Sequence, residues 1–509
     1  MESISFTNFR RFADFPNLIF KPITFLVGGN NSGKSTLIKA IVLCIDNLKT
    51  MRGGFWPTFN LGANKWHDVK ISTNGRAFHD THKIMTFSFK IKDWSFRYDV
   101  ICENIHIISS EPEEAQEADV SLIQISNNEM HIVLNSEERG FYCDIHDAQK
   151  KQIYTALISV YEEEKEKLNS EDFEPTEEFI TKLDGLKAAL RRLLTEYVTH
   201  GKREDNDKEE ESEDDLDVDE LIQKFKDKDC PAKVISSEGA DVGDDNTLRG
   251  AIARAEEEAD MKLNLDDEVD VILNTEIDFI PVHTIHQNSL YLTSDKSDYI
   301  AQTLHSLRLG DEGRALIEKY MGKDYFGIGK SFRVEELEGS EAQQILDKIG
   351  GAAYKAYITT DAGKEVNLAD MGIGSIQLMV LLFRLVTIIN KKGKGKRIVI
   401  LEEPEQNLHP RLQSLLADLF LDLYTKYGLQ VIVETHSEYL IRKTQVLVKK
   451  DNFRDDDDLI SHCPFAVYYF TGDDEEPVRT MKYRTDGIFE NDFGPGFFDE
   501  SEKLAFEVL

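Results

Sequence analysis

Apolar residues come in short runs towards both ends of the chain and at helical spacing between them. Ile23-Thr24-Phe25-Leu26-Val27, Ile398-Val399-Ile400-Leu401 and Val431-Ile432-Val433 stop at glycine or at charged residues, which predicts short buried strands. Phe87-Ser88-Phe89-Lys90-Ile91 alternates strictly, so it predicts a strand with one face in a core and the other in water. Phe96–Val100, Met130–Leu134 and Glu276–Val282 read as further strands. Leu37–Leu43 predicts a helix directly after the first run, and Leu378–Ile389 predicts a strongly apolar one. More helices are predicted near 297–308 and 311–321, and from Arg411 onward.

In the middle of the chain the period changes. Leu183, Leu186, Leu190, Leu193 and Leu194 fall on one helical face, and Pro175 stands just before that helix, where proline is tolerated. Residues 148–167 and 176–197 predict a short antiparallel hairpin. From 204 to 220, 12 of 17 positions are Asp or Glu. Such a run repels itself and has almost nothing to bury, so it predicts a loose, solvated loop. The chain divides into an N-terminal α/β part (1–147), a helical and acidic insertion (148–270) and a second α/β part (271–509).

The first apolar run leads into Gly28-Gly29-Asn30-Asn31-Ser32-Gly33-Lys34-Ser35-Thr36. This satisfies the pattern G-x-x-x-x-G-K-[ST] between a predicted strand and a predicted helix, the setting that the pattern needs. Its glycines let backbone N–H groups curl around phosphate oxygens, and the helix start adds its positive dipole end. Lys34 then reaches the β- and γ-phosphates of ATP, and the Ser35 hydroxyl ligates Mg2+. The run ending at Leu401 delivers the partner carboxylates. Glu402 holds the metal through its waters, and Glu403 acts as general base on the attacking water. The run ending at Val433 leads to Glu434-Thr435-His436-Ser437, which puts His436 where it senses the γ-phosphate. Upstream, Asn367–Gln377 combines small residues with Ser375 at the start of an apolar helix, a second anion site. One chain has one phosphate loop, so this second site makes sense if it caps the nucleotide of another copy.

Charge narrows the partners. The balance of 60 basic and 94 acidic residues gives −34. That excludes a general nucleic-acid coat, because phosphate binding rests on Lys and Arg; DNA is left open only through a local basic groove. No run of about 18 apolar residues is present to span a membrane, and Met1–Phe6 carries no signal-peptide pattern. The five cysteines are scattered without a C-x-x-C pair, as expected of reduced thiols in a cytoplasmic protein. His79-x-x-His82, His283-x-x-His286 and the acidic run Asp455–Asp458 are read as structural or solvated, not as metal sites.

In order along the chain stand the phosphate loop, Gly372-Ile373-Gly374-Ser375-Ile376-Gln377 before a helix, Glu402-Glu403-Pro404 after a strand, Asn407-Leu408-His409-Pro410, and Thr435-His436-Ser437 after another strand. This set resembles the ABC-type ATPases of the SMC, RecF and OLD kind, and within them the stand-alone ATPases of prokaryotic anti-phage defence systems. The opening Ile4–Phe12 resembles the first strand of that family. The tail, Tyr483–Gly487 through Gly496–Glu500, resembles one that many of its members carry. The resemblance implies an α/β fold: an ABC-type P-loop ATPase head of a mixed-sheet lobe and a helical lobe, with an inserted helical hairpin. It implies that Arg10 and Arg11 lie near the nucleotide. It also implies that Gly372, Gly374, Ser375 and Gln377 contact the γ-phosphate bound by an opposite subunit, that Gln406–His409 is a dimer-contact loop, and that His436 is the switch residue. ATP and Mg2+ as cofactors follow from it, as do a homodimer or higher homo-oligomer closed through the ATP sites and a separate effector protein. Glu402 departs from the usual Asp, the signature has an unusual order, and no glutamine loop is evident.

Two further function classes compete. A DNA repair or recombination ATPase of the RecF/SMC type would clamp DNA and needs a basic surface facing the inserted helices. A transporter subunit fits less well, because the chain is long, is split by an insertion and lacks the glutamine loop. Too few residues follow His436 for an OLD-type nuclease domain, and the inserted helices are too short for an SMC coiled coil.

Overall fold

The structure, a computed structural model, describes residues 1–50, 58–60, 77–80, 82–107, 116–127, 130–135, 140–145, 148–168, 175–199, 217–227, 266–281, 290–294, 299–307, 310–337, 352–391, 395–450, 463–494, 497–499, 503–504 and 506–507. His283, His286, Cys230, Asp455–Asp458 and the acidic positions 204–216 lie outside them. Two compact units emerge. One gathers Met1–Leu18 and most of the chain from Asp46 to Leu273; the other gathers Ile19–Ile45 and Asn274–Leu509. The phosphate-loop segment therefore belongs with the C-terminal part, although the whole insertion separates them in sequence.

In chain order the strands of the first part are β1 (Ser3–Phe9), β2 (Phe12–Ile19), β3 (Ile23–Gly28), β4 (Thr58–Asn60), β5 (Met85–Ile91), β6 (Trp94–Ile107), β7 (Gln116–Ser126), β8 (Met130–Asn135) and β9 (Gly140–Ile145). All except β3 join one sheet in the order β2-β1-β5-β6-β7-β8-β9, with β4 on β7. The alternation read in β5 is realised: Met85, Phe87, Phe89 and Ile91 are buried, while Thr86, Ser88 and Lys90 are half-exposed. Aromatic rings fill the covered face. Phe6 stacks on Phe15 at 4.4 Å and Phe59 on Phe87 at 5.3 Å, arrangements that add to the gain from burial.

The helices are α1 (Lys34–Thr50), α2 (Ala148–Leu168), α3 (Glu177–Thr199), α4 (Val218–Asp227) and α5 (Asp266–Leu273). Helices α2 and α3 are the expected pair, and α4 is a third member that the acidic reading of 204–220 missed. Val218, Leu221, Ile222 and Phe225 pack with Ile158, Tyr161, Leu190 and Leu194 in one core. Their spacing is an amphipathic stripe that the surrounding charge hid. One acid of the run serves the helix start: the Glu220 carboxylate accepts the Asp217 N–H at 3.3 Å, as in a capping box. Others pair with bases, Lys165 with Asp219 and Lys187 with Asp217.

The second unit continues with β10 (Glu276–Ile280), β11 (Tyr291–Leu292), α6 (Tyr299–Ser306), α7 (Asp311–Met321), β12 (Ser331–Glu336), β13 (Ala353–Thr359), β14 (Glu365–Asn367), α8 (Ile373–Ile389), β15 (Arg397–Glu402), α9 (Pro410–Tyr427), β16 (Gln430–Glu434), α10 (Glu438–Lys450), β17 (Phe465–Phe470) and β18 (Val478–Met481). Its main sheet runs β10-β15-β16-β3-β17-β18. The first five strands are parallel, and β18 is antiparallel. Parallel strands are covered on both faces, so they read as unbroken apolar runs; every residue of β3 and of β16 is buried. Phe25, Leu401 and Val433 share one core with Phe383 of α8 and Phe420 of α9. The register sets Leu401 against Val433 and Glu402 against Glu434, with Val433 against Phe25. The C-terminal tips of β3, β15 and β16 therefore lie side by side, where ligands of parallel α/β sheets bind.

Candidate nucleotide-binding site

The loop after β3 has the backbone its sequence demands. Gly28 and Gly33 take φ of 144° and 110°, values that only glycine adopts readily. A Cβ on Gly28 would also meet the Phe470 carbonyl oxygen of β17 at 2.4 Å. Asn31 takes φ of 60°, which asparagine tolerates better than most residues. The loop folds around its own cation: Lys34 Nζ donates to the carbonyls of Gly28 and Gly29 at 3.0 and 2.9 Å. Asn30, Asn31 and Ser35 are exposed, whereas Ser32, Gly33, Lys34 and Thr36 are buried. The Ser32 hydroxyl is buried with no hydrogen-bond partner, an open valence that a phosphate oxygen would satisfy.

The neighbouring tips supply carboxylates. Glu402 ends β15 and is half-buried. Glu403 follows with φ of 39°, a backbone state rare outside glycine and common at functional sites. Its N–H donates to the Glu434 carbonyl at 2.8 Å, which ties the β15 tip to the β16 tip. Glu403 Oε1 lies 3.6 Å from His436 Nε2. Burial, helped by Lys34, holds the imidazole below its ordinary pKa, with Glu403 acting in the opposite sense. His436 is therefore neutral at pH 7, able to donate or accept a hydrogen bond.

Two acids not singled out from the sequence complete the set. The Glu434 carboxylate accepts the Ser35 hydroxyl, at 3.3 and 3.2 Å to its two oxygens, and lies 3.7 Å from Lys34 Nζ. Burial raises its pKa, and Lys34 counteracts that. Burial likewise lowers the pKa of Lys34, against the pull of Glu434. The Glu405 carboxylate accepts the His436 N–H at 2.7 Å, and its second oxygen is buried without a hydrogen-bond partner. Burial raises the Glu405 pKa as well. The signal for both acids was their place directly around the strand tips; the β15–β16–β3 register gives it meaning.

Hydroxyl and carboxylate oxygens suit a hard divalent ion such as Mg2+. No cluster of three or more His, Cys, Asp or Glu with metal-ligand geometry occurs among the described residues. A metal held here by Ser35 and a carboxylate would draw its other ligands from phosphate and water, as Mg2+ commonly does.

The segment that the sequence marks as a second anion site lies at the start of α8. Gly372 is the N-cap without a side-chain cap bond; its carbonyl accepts the Ser375 N–H at 2.8 Å, which leaves the two N–H groups before it to other partners. Ile373 beside it is an exposed apolar residue. Gly374 approaches the loop after β15 so closely that a Cβ would meet the Asn407 carbonyl at 2.9 Å. Gln377 donates to the Pro404 carbonyl and accepts from Asn407, both at 3.5 Å. Asn407 takes φ of 61°, and His409 caps α9 by accepting the Arg411 N–H at 3.3 Å, with Pro410 in the first turn. Ser375, Gln377 and the 406–409 loop thus form one continuous piece. Arg10 and Arg11 belong to the other unit. There Arg10 has φ of 53°, and its carbonyl lies 3.1 Å from His79 Nδ1. No helix among the described residues is long and apolar enough to cross a membrane.

The AAA ATPase domain family model matches residues 1–441. No curated protein matches the chain. Among solved structures the chain is similar to the Smc head domain with an extended coiled coil bound to the C-terminal domain of ScpA from Pyrococcus furiosus, at 10% identity, covering 100% of this chain and 98% of that one, with a TM-score of 0.34. It is also similar to the Smc head domain with a coiled coil and joint from Pyrococcus yayanosii, at 12% identity, covering 100% and 99%, with a TM-score of 0.34. The family match runs through the phosphate loop, the β15 carboxylates and His436, so this α/β chain belongs to the AAA ATPase domain family.

Proposed function

We propose that the chain hydrolyses ATP as a switch: two copies close over two ATP molecules, and their closing and opening control a separate effector protein in an antiviral defence system. One observation supports the chemistry above all. Lys34 and Ser35, hundreds of residues before Glu403 and His436 in sequence, meet them at adjoining tips of parallel strands of one sheet. In this reading Lys34 leaves its loop carbonyls for the β- and γ-phosphates. Glu403 takes a proton from the attacking water, and His436, neutral and beside it, hydrogen-bonds the γ-phosphate. Ser35 and a strand-tip carboxylate hold Mg2+, which neutralises charge on the phosphates. The opposite copy contributes Ser375 and Gln377. The uncapped start of α8 beside exposed Ile373 supports such a contact. The defence setting rests on the motif resemblance.

Lys34→Ala tests the site. The variant should lose tight ATP binding by calorimetry while still unfolding cooperatively, and unchanged affinity would remove the assignment. For the defence setting, cells carrying the chain with its neighbouring genes should lose phage resistance on Lys34→Ala. Retained resistance would remove the ATP switch from that setting, and a parent without resistance would remove the setting itself.

A further inference from the structure

We propose that Glu434 makes the phosphate loop selective for metal-bound nucleotide, by holding Lys34 and Ser35 against free nucleotide and yielding them only when a divalent cation arrives with it. The proposal rests on the ATP reading above and goes beyond it, because the sequence pattern assigns Glu434 no role.

Lys34 and Ser35 are the two side chains that a loop of this pattern offers to a polyphosphate and its metal. In this structure one carboxylate engages both: the Ser35 hydroxyl at 3.2 Å and the Lys34 ammonium at 3.7 Å. The backbone that carries the acid is held in place. Glu434 is the last residue of a fully buried strand, paired in register with Leu26 on one side and Glu402 on the other. Its carbonyl is fixed by the Glu403 N–H at 2.8 Å. A second sign that ligand oxygens belong in this loop is the Ser32 hydroxyl, 4% exposed and without a hydrogen-bond partner.

The electrostatics then discriminate. Free ATP brings its full negative charge against a buried carboxylate in a poorly solvated place, where like charges repel more strongly than in water. It must also displace that carboxylate from Lys34 and Ser35. With Mg2+ on the phosphates the same carboxylate faces a cation that seeks oxygen ligands. One acid thus opposes the bare nucleotide and favours the loaded one.

The test is the ratio of ATP affinity with Mg2+ to that with EDTA, measured by calorimetry on the full chain. Glu434→Gln keeps the shape and removes the charge. Its ATP affinity in EDTA should rise and its gain from Mg2+ should shrink, lowering the ratio by about tenfold or more, the effect of one lost charge contact worth about 1.4 kcal/mol. Glu434→Asp keeps the charge and should hold the ratio within about threefold of the parent. Thermal midpoints measured alongside verify folding, and Glu434→Ala gives a second uncharged side chain. A parental ratio in Glu434→Gln or Glu434→Ala, with ATP still bound, overturns the Glu434 role alone. If the parent chain binds no ATP in either condition, the ATP reading falls and the role of Glu434 falls with it.

Discussion

His436 Nε2 lies 3.6 Å from Glu403 Oε1, across the tips of two adjoining parallel strands. A carboxylate beside an imidazole suits water activation, since its oxygens can take a proton from a water held between them. Glu403→Gln keeps the shape and cannot take that proton. ATP binding should persist while hydrolysis falls by about 10²–10⁴-fold, the usual worth of a general base. Phosphate release and nucleotide affinity measured on the same samples decide. If Glu402→Gln stops hydrolysis and Glu403→Gln does not, the two roles are reversed.

Glu405 acts on the same histidine through the backbone. Its carboxylate accepts the His436 N–H at 2.7 Å in a buried setting. Glu405→Ala leaves that N–H without its partner, which typically costs about 1–3 kcal/mol. The thermal midpoint should fall, and hydrolysis should fall with ATP affinity little changed. Glu405→Gln keeps an acceptor oxygen and should recover most of the loss in stability. Equal stability of parent and Glu405→Ala would show that the contact does not matter.

The glycines of the loop separate sharply. Gly28→Ala puts a Cβ at 2.4 Å from the Phe470 carbonyl and forces a positive φ on alanine, whereas Gly29 has nothing within 4 Å of its added Cβ. Gly28→Ala should destabilise the main sheet by more than about 1 kcal/mol, as expected where alanine meets an incompatible backbone. Gly29→Ala should fold like the parent. Urea unfolding of both variants checks the contrast, and equal losses would contradict it.

Much of this was legible because buried parallel strands announce themselves. The middles of β3, β15 and β16 are apolar apart from Thr24, and each run stops where a candidate site residue stands. Pro410 and Gly428 bracket α9 as helix signals should. What stayed hidden depends on neighbours in space. Glu434 reads as one more acid before His436 until the register places it on Ser35. Gly374 reads only as one of the small residues at a helix start until the approach of Asn407 requires a missing side chain. Helix α4 was masked because its apolar stripe lies at the end of an acidic run, where charge density outweighs periodicity in a short window. The joining of 19–45 with the C-terminal part follows from strand order, which no local pattern encodes.

Helix α4 also marks where the acidic segment can be cut. Deleting 201–222 removes Val218, Leu221 and Ile222 from the small core with Ile158, Tyr161, Leu190 and Leu194. Deleting 201–216 spares all of them. The longer deletion should expose protease sites within α2 and α3, and the shorter should not. Both should leave ATP hydrolysis largely intact if the acidic segment serves partner recognition. Pull-down of a basic partner should then weaken with the shorter deletion at low salt and differ little at high salt, where surface charge is screened. Equal recovery in every condition leaves the segment without that role.

The last prediction concerns two copies. If the phosphate loop of one chain meets the start of α8 of another, Ser375→Arg blocks the neighbour's nucleotide and leaves its own loop intact. Ser375→Arg should therefore bind ATP like the parent and hydrolyse almost none, whereas Lys34→Ala should fail at both. Mixing the two dead variants should restore activity. Each mixed dimer pairs one intact loop with one intact α8 start and leaves the other site doubly damaged, so random exchange of a two-fold dimer predicts roughly a quarter of the parental rate. The rise should appear on mixing, grow as the subunits exchange and depend on protein concentration. A parent that hydrolyses ATP at full rate as a monomer at every concentration would rule the arrangement out. So would a mixture that stays dead while size measurements show the subunits exchanging.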